Sequence, residues 1–124
     1  MNIVLWVLQV LLAAAFLAHG LLLLFPPPEL LEPMNETMST PFRLFLGVAE
    51  VLAAVGLTLP GITRVQPWLV SAASAGVMIV MISATVLHLR RDEISSAIIT
   101  AILLAIATIV AYMRWKVKPI SPRV

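Results

Sequence analysis

Residues 94–115 read ISSAIITAILLAIATIVAYMRW, and no charged side chain interrupts them before Arg114. An α-helix rises about 1.5 Å per residue, so about 20 apolar residues cross the ~30 Å hydrocarbon core of a bilayer. Three more runs of span length precede this one, at residues 2–25, 42–59 and 68–89. The connectors between them are too short to hold a second domain. The pattern predicts an all-α integral membrane protein, a four-helix up-down bundle forming one domain over residues 1–124.

Composition agrees. The chain is 61% hydrophobic and 11% charged, with a mean hydropathy of +1.07. Soluble domains carry about a quarter charged residues, and a soluble bundle of this size needs polar helix faces. The net charge of +2 does not mark a nucleic-acid surface, because no stripe of Lys and Arg interleaves with aromatics. There is no cysteine, so the chain alone performs no thiol–disulfide chemistry and holds no Fe–S cluster. The first run reads as a retained span and not a signal peptide. It lacks a basic start, exceeds the usual core of ~7–15 residues, and is followed by no small-x-small cleavage site.

Four spans place both termini on one side. That side holds Arg64, Arg114, Lys116, Lys118 and Arg123, against Arg43, Arg90 and Arg91 on the other, which favours cytoplasmic termini. The tail bases read as a cytoplasmic anchor. In the same arrangement Trp6, Trp68, Tyr112 and Trp115 all fall at the interface on the side of the termini, where such rings anchor helices.

The connectors give boundary signals. Pro26, Pro27 and Pro28 stop the first helix. The mixed segment from Glu29 to Met34 suits a short amphipathic piece at the outer interface, and Asn35-Glu36-Thr37 matches a glycosylation sequon. Ser39 or Thr40 caps the second span, Pro60-Gly61 ends it, and Asp92 or Glu93 caps the fourth. Small residues recur every four positions at Ala97, Ala101 and Ala105, at Ala72 and Gly76, and at Ala49 and Ala53, and these read as helix seams.

Few polar groups lie inside the spans. Glu50 sits about 12 Å along the second helix, at a depth where an ionisable group costs ~2.5–3.5 kcal/mol and turns toward the bundle interior. Arg43 lies two turns earlier on the same face, with Gly47 between, so a water or ligand bridging the two is one reading. A structural charge paired with Arg43 or with a hydroxyl of the third helix is the other. His19, Thr85, His88 and Thr100 join Glu50 in the outer half, whereas Gln9 lies in the inner half. His88, beside Arg90 and Arg91, reads first as an interface residue, and His19 as hydrogen-bonded packing. A bis-histidine haem is disfavoured because the two histidines differ in depth by about two turns. Met78 and Met81 read as core or as the wall of an apolar pocket. Convergent polar groups in an apolar lining predict a ligand pocket opening away from the termini.

The stretch Phe42-Arg43-Leu44-Phe45-Leu46-Gly47-Val48-Ala49-Glu50-Val51-Leu52, then Gly56-Leu57-Thr58-Leu59-Pro60-Gly61, resembles the DoxX-like family of small four-span membrane proteins. So does Ala84-Thr85-Val86-Leu87-His88-Leu89-Arg90-Arg91-Asp92-Glu93. The resemblance spans nearly the whole chain. Members often carry a Lys after the small residues of the first helix, where this chain has leucines at 21–24 and His19 just before Gly20. The family name comes from subunits linked to thiosulfate:quinone oxidoreductase, so the resemblance implies a quinone or redox association without catalysis by this chain alone. No nicotinamide, flavin or metal motif is present.

Two functions follow as expectations. One is a binding or accessory subunit with a lipid- or quinone-sized pocket, serving a redox enzyme partner, with Glu50, Arg43, His19, His88, Thr85 and Thr100 as ligand contacts. The other is a small proton-coupled transporter using Glu50 and His19, which requires a homo-oligomer.

Overall fold

The computed structural model describes residues 2–122, so the expected anchor residue Arg123 lies outside the described residues. Helices α1 (Asn2–Leu24), α3 (Thr40–Thr63), α4 (Leu69–Arg90) and α5 (Ile94–Tyr112) are the long apolar elements. A shorter helix α2 (Pro28–Thr37) links α1 to α3, and one π-helical turn (Met113–Val117) extends α5. No strand occurs among the described residues. Four helices are long and apolar enough to cross a membrane, the fourth counted from Ile94 through Val117. The protein is an all-α membrane bundle.

The helices form a ring. The broad seams are α1 against α3 and α4 against α5; α3 against α4 and α1 against α5 close it. The α1–α3 register is antiparallel. Trp6 meets Gly61, Gln9 reaches Leu57, Gly20 meets Gly47, and Arg43 reaches Leu23. Leu12, Phe16, Leu57, Val70, Val77, Met81, Ala107 and Val110 fill the centre. Surfaces such as Ile79, Ile99 and Phe45 remain exposed, as expected where lipid, not water, is the neighbour.

Several boundary expectations need correction. Pro60-Gly61 does not end α3. The helix runs through to Thr63 and stops at Arg64, which takes the left-handed conformation at φ 59°. A proline inside a membrane helix is tolerated because neighbouring groups re-satisfy the backbone. Ser39 does cap α3, its hydroxyl accepting from the Phe42 amide at 3.4 Å. Glu93 occupies the position before α5 but makes no side-chain cap there. Its carboxylate is held by His88 instead, 2.9 Å away. The mixed first connector folds as α2, capped by no side chain, with Pro28 at its first position.

The small-residue seams are also different. Ala101, Ala105, Ala72 and Gly76 are exposed, and a Cβ at Gly76 would meet open space. The α5 stripe that is buried consists of Ala97, Ala107 and Val110. Gly20 packs backbone to backbone on Gly47. A Cβ at Gly20 would come within 2.9 Å of the Gly47 carbonyl, and one at Gly47 within 3.1 Å of the Gly20 carbonyl. Spacing reveals small residues but not which of them faces a neighbour.

Candidate functional site

The glycine contact brings α1 and α3 close enough for polar side chains to bridge them. His19 Nδ1 lies 2.8 Å from Glu50 Oε1. An ionised carboxylate only accepts, so the ring nitrogen donates. The two ends of this pair differ sharply in surroundings. The Glu50 side chain is 5% exposed, whereas the His19 side chain is 55% exposed on the outer surface of the bundle. Glu50 therefore faces the interior as expected, but its partner is His19 and not Arg43.

Arg43 turns the other way. Its Nη1 donates to the Leu23 carbonyl near the end of α1, and the residue is buried. Arg43 and Glu50 lie seven positions apart, about 10 Å along the axis, and each bonds α1 instead of the other. Arg43 Nε and Glu50 Oε2 are both buried without a hydrogen-bond partner. The α1–α3 seam thus holds one hydrogen-bonded His–Glu pair and two unmet polar atoms of opposite character.

The remaining expected residues lie on another seam. Thr85 and Thr100 hydroxyls are 2.8 Å apart between α4 and α5, and Thr85 also donates to the Met81 carbonyl at 2.7 Å. Ser74 donates to the Ala107 carbonyl at 2.6 Å further along the same seam. His88 pairs with Glu93 at the exposed α4–α5 turn, where Asp92 takes a left-handed conformation. So the structure joins His19 to Glu50, sends Arg43 to the Leu23 carbonyl, places Thr85 with Thr100, and leaves His88 at the rim. They do not converge on one pocket.

The grooves lie at the opposite end from the expected pocket. One, of about 570 Å³, runs between α4 and α5 and is lined by Trp68, Ala72, Ala75, Met78, Thr108 and Trp115 among others. A second, of about 270 Å³, shares Trp68 and Trp115 and adds Pro67, Arg114, Pro119 and Ile120. Met81 is core, not wall, at 6% exposure.

That end of the molecule carries a polar cluster that spacing did not single out. Arg114 is 4% exposed. Its Nε donates to Gln9 Oε1 at 2.6 Å, and its Nη1 donates to Asn2 Oδ1 at 2.7 Å and to the Lys118 carbonyl at 3.0 Å. The guanidinium also sits 5.6 Å from the centre of the Trp6 ring, within cation–π range. Gln9 completes the chain by donating to the Leu57 carbonyl at 2.9 Å. The signal in the sequence was Gln9 itself, an amide deep in an apolar run, with Arg114 at the far end of another. The cluster ties Trp6 to the grooves lined by Trp68 and Trp115, so all three rings gather at one end, with Tyr112 beside them.

A family model described as the DoxX-like family matches residues 7–110. The chain belongs to the DoxX-like family. The matched stretch of this DoxX-like protein holds His19, Arg43, Glu50, Thr85, His88 and Thr100, while Arg114 lies beyond it. No curated protein and no solved structure matches the chain. No group of three or more His, Cys, Asp or Glu suited to a metal ion occurs among the described residues.

Proposed function

We propose that this DoxX-like membrane protein is a binding subunit of a membrane oxidoreductase system, not catalytic alone, and that it holds a quinone head at His19 and Glu50. The observation that carries the reading is the 2.8 Å pair between a buried carboxylate and an outward-facing imidazole. Glu50 orients the ring through Nδ1, which leaves Nε2 to meet a ligand. A neutral ring accepts from a quinol hydroxyl there; an imidazolium donates to a quinone carbonyl. The exposed apolar surfaces beside it suit an isoprenoid tail in the bilayer. Arg43 holds the end of α1 in register and offers its unmet Nε to the same seam. Thr85, Thr100 and His88 stabilise the α4–α5 side. The family resemblance supports a redox partner. The basic tail supports cytoplasmic termini, which puts the His19–Glu50 pair in the outer half of the membrane.

Titration of the purified protein in lipid nanodiscs with decylubiquinone tests the reading. Binding to the wild type should be saturable, and H19A and E50Q should each raise Kd at least tenfold. S83A is the control, since Ser83 is exposed and bonds only its own helix at the Ile79 carbonyl. Gln9 is unsuitable as a control because it supports Arg114. Equal affinity in all four proteins would overturn the reading. Proton-coupled flux across vesicles that is lost in E50Q would favour the transporter instead.

A further inference from the structure

The end of the bundle that carries the termini has one sign of charge. Among the described residues it holds Arg64, Arg114, Lys116 and Lys118, and no carboxylate side chain. The ion pairs among the described residues are His19–Glu50 and His88–Glu93, both elsewhere. Among the described residues, Arg114 is therefore a buried cation without a counter-charge. Its three hydrogen bonds go to neutral oxygens, and its Nη2 is buried without an acceptor. A buried guanidinium normally takes a carboxylate or phosphate in a paired geometry.

Arg114 also lines the smaller groove, and Trp68 and Trp115 join that groove to the larger apolar one between α4 and α5. The larger groove, about 570 Å³, falls within the roughly 300–1,000 Å³ of small-molecule sites. Its floor is made of small side chains, Ala72, Ala75 and Ala111, which leave a channel along the helices. A cation at one end, two tryptophans at the level of the head groups and an apolar channel running toward the membrane centre describe an amphiphile.

We propose that this end binds an anionic phospholipid of the bilayer, its phosphate at Arg114 and one acyl chain in the groove between α4 and α5. The lipid supplies the negative charge that the described side chains lack at this end, and the π-helical turn sets Arg114 beside the groove mouth. Lys116 and Lys118 add nearby positive charge, which draws anionic lipids to the surface. The site is separate from the His19–Glu50 pair and does not depend on it.

Native mass spectrometry of the full-length protein in detergent, titrated with phosphatidylglycerol or phosphatidylcholine of the same acyl chains, tests the proposal. The wild type should retain phosphatidylglycerol with at least tenfold preference. R114Q should lose that preference. A75F should fill the groove and weaken phosphatidylglycerol binding at least tenfold while leaving every Arg114 contact in place. If R114Q fails to fold, A75F decides alone, because Ala75 is exposed and its substitution disturbs no buried contact. Equal binding of the two lipids by the wild type, or undiminished phosphatidylglycerol binding by A75F, would overturn it.

Discussion

The His19–Glu50 pair is asymmetric, and the asymmetry has a mechanical consequence. Removing the imidazole strands a buried carboxylate, while neutralising the carboxylate leaves an amide that still accepts from His19. An unsatisfied buried polar group costs about 1–3 kcal/mol, more when charged. H19A should therefore lower the thermal stability of the detergent-solubilised protein more than E50Q does. Equal stability of H19A and wild type would contradict this placement. Arg43 was legible as a residue of the Glu50 face, but not as a ligand of the Leu23 carbonyl, because a helix face gives direction and not partners. The partner comes from α1, and only the α1–α3 register supplies it. The same holds for Arg114, whose acceptors Asn2 and Gln9 lie over 100 positions away.

At the scale of helices, the α1–α3 seam depends on two glycines facing each other. Gly20→Ala sets a Cβ against backbone at 2.9 Å, where neither side yields without moving a helix. Overpacking of this kind costs typically 1–3 kcal/mol. Gly76→Ala meets open space and should change stability by less than about 0.5 kcal/mol. Thermal unfolding of the two variants side by side checks the difference, and comparable losses would sink the seam assignment. On the other seam, Thr85→Val removes a hydrogen bond between helices. Such bonds average ~0.6 kcal/mol in membranes, with a maximum of ~1.7, so the expected loss is small. The number of spans and their apolar centres were legible in hydropathy alone. The seams were not, since Ala101 and Ala105 keep perfect four-residue spacing and still face outward. In lipid, both sides of a helix are apolar, and composition no longer separates inside from outside.

For the molecule as a whole, the ring of α1, α3, α4 and α5 divides chemistry between its two ends. The end with the termini gathers Trp6, Trp68, Trp115 and an Arg114 that no described side chain compensates; the other half carries the acidic side chains and both histidines. Reporter fusions at the two termini should label the same side of the membrane, the cytoplasmic one by the bias of basic residues. Labels on opposite sides would contradict the four-span arrangement. The gathering of the aromatic rings was visible from alternation of four spans, whereas the groove position was not, because it depends on which small residues are left uncovered between α4 and α5. The central claim, a quinone head held on the α1–α3 seam, is tested most directly by photolabelling the protein in nanodiscs with an azido-quinone and mapping the adducts by peptide mass spectrometry. The account predicts saturable labelling of α1 and α3 around His19 and Glu50, suppressed by excess decylubiquinone and lost in H19A; labelling confined to α4 and α5, or labelling that H19A leaves unchanged, would contradict it.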